Sequence, residues 1–246
     1  MKKLLLALAL SAGFVASAQA QLTGNLGLTS DYRFRGVSQT QNAPAVQGGI
    51  DYAHKSGFYV GNWNSSVSSQ VYTNGAGLES DLYAGFKKEI FKGISIDIGS
   101  YNYFYPRATT SSATGSNFDT YEGFIGLGYK DFVSAKYSQT LGNGYFGTAN
   151  ARGTSYTQVD AKLPVPVIKN LSVAAHYGRT NVANSGSLDY DDMNAGFVYS
   201  LPRAYDVSVK YYTNSGMSQA FQTANTVSGQ KLYKNAVVVG LTKTFN

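Results

Sequence analysis

The chain has no cysteine. That excludes disulfides, thiolate chemistry and a lipoprotein anchor, and it suits a protein that crosses an oxidising compartment. Charge is scarce as well: Lys, Arg, Asp and Glu make up 14% of 246 residues, against about 25% in ordinary soluble domains. Beyond the amino-terminal segment, no stretch approaches the 18 or so consecutive apolar residues that a spanning helix needs. No run of Lys or Arg exceeds two residues, so the net charge of +6 is scattered and no nucleic-acid partner is expected.

What the chain does have is 27 glycines and 20 tyrosines. Low charge, slightly negative mean hydropathy and this composition fit a β-barrel with an apolar outside and a polar lumen. Lys2 and Lys3, an apolar run over residues 4–10 and the small-x-small site Ala18, Gln19, Ala20 predict a secretory signal peptide over residues 1–20. Residues 21–246 then form one domain, the barrel itself.

Alternation with period two dominates the remainder. Leu22, Leu26, Leu28, Tyr32 and Phe34 share one parity, opposite Thr23, Asn25, Asp31, Arg33 and Arg35. Leu78, Leu82 and Phe86 oppose Glu79, Asp81 and Lys87, and Val207, Val209 and Tyr211 oppose Asp206 and Lys210. Twelve such segments are predicted as antiparallel strands of a transmembrane β-barrel, each about 9–11 residues or slightly longer, as a tilted strand needs to cross a bilayer. The least regular lies over residues 58–67, where Tyr59, Trp63 and Val67 share a face while Phe58 and Val60 lie on the other.

The connections alternate long and short. Long ones fall near residues 37–43, 68–77, 106–118, 139–154, 180–189 and 215–234. Short turns in the periplasm and long loops outside are the usual asymmetry of these barrels, which predicts both termini in the periplasm of a Gram-negative bacterium. All five prolines fall in connections or at a strand start, where no ladder hydrogen bond is lost. Outward aromatics gather near strand ends, with Tyr52, Phe86, Tyr129, Tyr199, Tyr205 and Phe245 at one rim, and Tyr32, Phe34, Phe104, Tyr121, Tyr177 and Tyr211 at the other. This is the girdle expected of a barrel against lipid and lipopolysaccharide.

The segments SDYRFRGVSQT (residues 30–40), PAVQGGIDY (44–52) and GFYVGNWNSSV (57–67) resemble the TorF-type porin family, also known as the Gcw_chp conserved hypothetical family of proteobacteria. The resemblance implies an outer-membrane barrel and a porin activity, with no catalytic or binding residues to carry over. The alternating Val237, Val239, Leu241 and Phe245 resemble a terminal strand read by the outer-membrane assembly machinery, although Asn246 follows the aromatic residue.

Inward parity supplies the candidate lumen and selectivity residues: Asp31, Arg33, Arg35, Asp51, Glu79, Asp81, Asp97, Tyr101, Tyr103, Glu122, Lys136, Asp160, Lys162, His176, Asp206 and Lys210. Lys130 shares that parity. Charged side chains can pair across strands, so they form either a wet lining or an ion-pair network that plugs the lumen. Tyr101, Tyr103 and Tyr105 beside Arg107 read as lumen filling, or as a track for sugars that stack on ring faces. No cofactor, metal or catalytic group is expected; His176, with lumen parity, is poorly placed for lipid chemistry. The expected function is a passive channel for small polar solutes. The alternatives are a non-conducting structural or interaction protein that binds a partner through its loops, and an outer-membrane enzyme.

Overall fold

Alternating side chains can satisfy two environments at once only if every backbone group is paired, and a closed sheet does that without an edge. The computed structural model describes residues 21–110 and 116–246, so the predicted signal peptide lies outside the described residues. In chain order the strands are β1 (Gln21–Thr29), β2 (Arg33–Phe34), β3 (Val37–Ser38), β4 (Ala45–Ala53), β5 (Phe58–Ser66), β6 (Leu78–Phe91), β7 (Ile94–Phe104), β8 (Thr120–Tyr129), β9 (Val133–Thr140), β10 (Ser155–Pro164), β11 (Leu171–Asn181), β12 (Tyr190–Leu201), β13 (Tyr205–Ser215), β14 (Thr226–Val227), β15 (Gln230–Lys231) and β16 (Ala236–Phe245). One short helix, α1 (Gln219–Ala224), precedes β14.

Twelve of these close into an antiparallel barrel, in the order β1, β16, β13, β12, β11, β10, β9, β8, β7, β6, β5, β4 and back to β1. Closure pairs β1 with β16, with Gly24 opposite Phe245 and Thr29 opposite Gly240. The five tight connections, residues 54–57, 92–93, 130–132, 165–170 and 202–204, lie at the end that carries Gln21 and Phe245. The six long ones, residues 30–44, 67–77, 105–119, 141–154, 182–189 and 216–235, lie at the other. Twelve strands and the long–short alternation match the sequence reading, and so do the strand positions apart from the first.

The wall is inside-out relative to a soluble protein. Leu26, Ile50, Leu127, Phe197 and Val239 stand exposed on the outer surface, while Glu79, Asp81, Glu122 and Asp192 are buried inside. Tyr52, Tyr129, Tyr199, Tyr205 and Phe245 are outward near one rim, and Tyr121, Tyr177 and Tyr211 near the other.

Two expectations are corrected. Lys130 does not line the lumen; it is an exposed turn residue with φ 51°, and its ammonium lies 5.3 Å from the Tyr129 ring centroid. More consequentially, the first wall strand ends at Thr29 rather than running on to Phe34. Residues 31–40 leave the wall and fold inward as the β2–β3 hairpin. Tyr32 (3% exposed) and Phe34 (9%) therefore pack inside the barrel instead of facing lipid. Arg33 and Arg35 stand on the hairpin, not on the wall.

Candidate functional site: a hairpin seated in the lumen

The hairpin turns on two residues, Arg35 (φ 48°) and Gly36 (φ 78°), between paired Phe34 and Val37. Two consecutive left-handed residues are the requirement of the tight primed turns that connect hairpins, and glycine serves one of them without strain. Position 36 also has no room. A Cβ there would sit 2.2 Å from Asn214 Oδ1 and 2.6 Å from Asp192 Cβ. Gly36→Val is therefore expected to unseat the hairpin. Limited proteolysis should cut near residue 35 in that variant and leave the unsubstituted protein intact.

The neck is tied by Asp31. Its carboxylate accepts from Ser38 Oγ at 2.6 Å and from Arg33 Nε at 2.8 Å. Arg33 goes on to donate to the carbonyl oxygens of Gly36 (3.1 Å) and Lys234 (2.7 Å), and to Asn42 Oδ1 (3.1 Å). Tyr32 N donates to Thr40 Oγ1, and Gln39 N to the Tyr32 carbonyl. Four of the five N–H donors of Arg33 are thus spent holding the hairpin and its surroundings in shape, which removes it from a lining role.

The tip is held by Arg35. Its two terminal nitrogens donate to Glu122 at 2.9 and 2.6 Å, and one also donates to Tyr145 Oη at 3.0 Å. The guanidinium lies 4.1 Å from the Tyr156 ring centroid and 4.8 Å from that of Phe34. Burial is the largest single influence and opposes its charge, but Glu122, Tyr145 and Tyr103 together outweigh it and hold the Arg35 pKa above its ordinary value. Such a two-pronged pair fixes direction as well as charge. Tyr190 Oη donates to the Arg35 carbonyl, tying the turn to β12.

An aromatic cluster fills the space around the hairpin. Tyr32 meets Trp63 edge-on at 5.4 Å, and Phe34 meets Tyr103 and Phe146 at 5.3 Å each. Tyr72 stacks on Tyr105 at 4.1 Å and donates to Gln39 Oε1. Burial first, and the neighbouring Glu79 carboxylate second, push the Tyr32 phenol pKa up, so it stays a donor; it bonds Glu79 Oε1 at 2.9 Å. On the other side Phe221, Leu232 and Tyr233 from residues 216–235 cover Val37. Tyr101 and Tyr103 belong to this filling, with Tyr101 stacked on Tyr83 at 4.7 Å.

The consequence is a seal. Glu79 and Asp81 are 0% exposed, Asp192 1% and Glu122 2%, so water does not reach the wall beside the hairpin. Both Asp81 carboxylate oxygens lack a hydrogen-bond partner there. An unsatisfied buried polar group costs roughly 1–3 kcal/mol, more when charged. Asp81→Leu is expected to raise the urea midpoint of the folded barrel by an equivalent amount.

Nearer the short-turn end the lumen is wetter. Asp97, Lys136, Asp160, His176, Asp206 and Lys210 are partly exposed inside the wall, and Asp51 and Lys162 are buried among them. His176 bridges β10 and β12, with Nδ1 2.7 Å from Asp160 Oδ1 and Nε2 3.0 Å from Asp192 Oδ1. Both ring nitrogens are engaged by carboxylates, so neither is free to act as a catalytic base. Among the described residues no carboxylate lies within ion-pair distance of Lys136, Lys162 or Lys210. Lys162 and Lys210 face each other across two small residues of one register row, Ala174 and Gly196.

The structure thus divides the predicted lumen residues in two. Asp31, Arg33, Arg35, Glu79, Asp81, Tyr101, Tyr103 and Glu122 belong to the seated hairpin and its socket, and the rest to the wetter half. Sequence reasoning missed Tyr145, Tyr156, Tyr190 and Asn214 as socket residues. The available signal was the Arg35-Gly36 pair, a two-residue turn inside an apparent strand.

A closed, twelve-stranded antiparallel barrel with an apolar exterior, a charged interior and an infolded loop defines a porin-type β-barrel. The chain belongs to the family described as a bacterial protein of unknown function, Gcw_chp, whose model matches residues 14–245. This agrees with the resemblance carried by residues 30–67.

Solved structures agree on the fold. A KdgM porin superposes with a TM-score of 0.57 at 10% identity, covering 91% of this chain and 99% of the other. A KdgM porin in complex with disordered oligogalacturonate gives 0.54 at 10% identity, covering 92% and 99%. A NanC porin gives 0.51 at 8% identity, covering 91% and 98%. No curated protein matches the sequence.

Proposed function

We propose that the chain is a passive outer-membrane channel for small polar solutes, closed in this structure by the hairpin of residues 31–40. The observation that carries the reading is that the seal is not part of the wall. All twelve wall strands close without β2 and β3, so the hairpin can move while every wall hydrogen bond stays made. A separate element that blocks an otherwise charged lumen has the layout of a gate.

The apolar belt, the aromatic rims and the likeness to small porins support placement in a Gram-negative outer membrane. The long loops face outward in this reading, and both termini lie in the periplasm. The hairpin then closes the outer side, while the wetter half opens toward the periplasm. Asp51, Asp97, Lys136, Asp160, Lys162, His176, Asp206 and Lys210 line the path of a solute in that half. Charges of both signs line it, as suits small hydrophilic molecules better than apolar ones. A similarly folded KdgM porin holds an oligogalacturonate, which supports a lumen that admits charged, hydrophilic solutes. Passive diffusion needs neither cofactor nor energy source.

The seal itself favours a second reading, a non-conducting structural protein whose hairpin never leaves. Planar-bilayer recording separates the two. A gated channel shows brief openings in the unsubstituted protein that lengthen when the hairpin is weakened; the structural reading predicts silence in both.

A further inference from the structure

The outer wall carries a polar patch that conduction does not require. On β5 to β7, Asn62, Asn64, Ser80, Ser100 and Asn102 all face outward: Asn62 pairs with exposed Ile50 and Leu82, and Asn102 with Leu82 and exposed Tyr121. Among the described residues the opposite wall is apolar at mid-strand. On β10 to β13 the outward positions between the rims are Val159, Ala161, Val173, Ala175, Ala195, Phe197, Val207 and Val209. Polar groups such as Thr157, Arg179, Asp191 and Thr213 stand toward the long-loop ends, as Asn64, Ser80 and Asn102 also do, so Asn62 and Ser100 at mid-strand make the difference. Two of its five residues, Asn62 and Asn64, lie in the motif GFYVGNWNSSV, the segment where alternation was least regular in the sequence. Local rules broken without a fold-level gain mark a functional surface.

Facing hydrocarbon, these amides have no water to bond. The structure satisfies only part of their capacity. Asn62 Nδ2 donates to the Asp81 carbonyl at 2.8 Å, Asn64 Nδ2 to Asn62 Oδ1 at 2.5 Å, and Asn102 Nδ2 to the Leu82 carbonyl at 3.0 Å. Asn62 Nδ2 gives its second N–H to Ser80 Oγ at 3.4 Å, whereas Asn64 and Asn102 each keep a second N–H, and all three keep acceptor capacity.

We propose that this face of β5 to β7 is a self-association surface on which a second copy of the chain docks within the membrane. A partner must be membrane-embedded and must present polar groups at the same depth. A two-fold-related copy does both by construction. An amide is donor and acceptor at once, so like meets like without mismatch. The patch carries no charge, so two copies do not repel. Gly48 and Ala84 lie in the same register rows and let two walls approach closely, as small residues do between membrane helices. Exposed Leu78 and Leu82 supply apolar contact around the amides.

The proposal rests on the membrane placement above and not on conduction, so a silent but paired barrel would leave it standing. The absence of cysteine makes the test clean. Asn64→Cys and, as a control on the opposite wall, Val209→Cys are made separately. Each is treated in outer membranes with a bifunctional maleimide, with heat-modifiable gel mobility confirming a folded barrel. The expected result is a covalent species of twice the chain mass for Asn64→Cys and a monomer for Val209→Cys. Equal cross-linking of both, none of either, or adducts of another mass would overturn the proposal. Independently, light scattering of the detergent-solubilised protein should give a dimer that becomes a monomer in the folded triple variant Asn62→Leu, Asn64→Leu, Asn102→Leu. A monomer from the start, or an unchanged dimer in the variant, contradicts it.

Discussion

Replacing residues 33–38 with a short Gly-Ser linker is expected to raise single-channel conductance several-fold while the barrel stays folded. The wall does not need these residues, because β1 and β4 pair along their whole length, from Gln21 opposite Ala53 to Thr29 opposite Ala45. The two strand ends to be joined are therefore already adjacent, and a short turn can connect them. Removal also changes the charge of the opened passage. Arg35 leaves, and Glu79, Asp81, Glu122 and Asp192, now buried around the hairpin, become a ring of carboxylates facing water. The opened channel is expected to prefer cations, read as a shift of reversal potential across a salt gradient. A folded variant, verified by heat-modifiable mobility, with unchanged conductance would show that the hairpin is not the seal.

The second large effect is expected from Arg35→Ala. Breaking a buried ion pair by removing one partner costs roughly 3–5 kcal/mol, because the other charge stays buried without compensation. Here the abandoned group is Glu122, which also loses the positive charge that Tyr145 shares. The loss falls on the seated state alone, since an unseated hairpin leaves Glu122 open to water. A penalty of that size changes the ratio of seated to unseated hairpin by about a hundredfold or more. Open probability in planar bilayers should rise accordingly, and protease should gain access to residues 31–40. The paired variant Arg35→Met with Glu122→Leu should be much closer to the unsubstituted protein, because neither charge is then left alone. If Arg35→Ala gates like the unsubstituted chain, the pair does not hold the hairpin.

The wall was legible in the sequence because two solvents wrote it. Lipid outside and a polar lumen inside force a period of two, and residues such as Leu78, Glu79, Ser80, Asp81 and Leu82 show it, with Ser80 as the local exception. The hairpin was not legible for the same reason. Tyr32, Arg33, Phe34 and Arg35 alternate just as a wall strand does, but they alternate between an aromatic cluster and a charged socket, both inside the barrel. Periodicity reports that two environments differ, not which two they are. The distinguishing mark was steric: Arg35 and Gly36 take positive φ, and a wall strand has no use for that. Trp63 and Val67 illustrate the converse. They blurred a segment whose strand is fully part of the wall, because they are apolar yet turned inward, into the aromatic cluster around the hairpin.

The hairpin's seat in the lumen is the central claim, and hydrogen exchange at its amides tests it most directly. Tyr32 N donates to Thr40 Oγ1, Ser38 N to the Leu232 carbonyl, Gln39 N to the Tyr32 carbonyl and Asn42 N to Ser38 Oγ. A seated hairpin predicts that peptides spanning residues 30–42 exchange nearly as slowly as those from β4 and β5, and far more slowly than the turn at residues 165–170. Exchange as fast as that turn would mean that the segment lies outside the barrel and that the lumen is closed by something else or not at all.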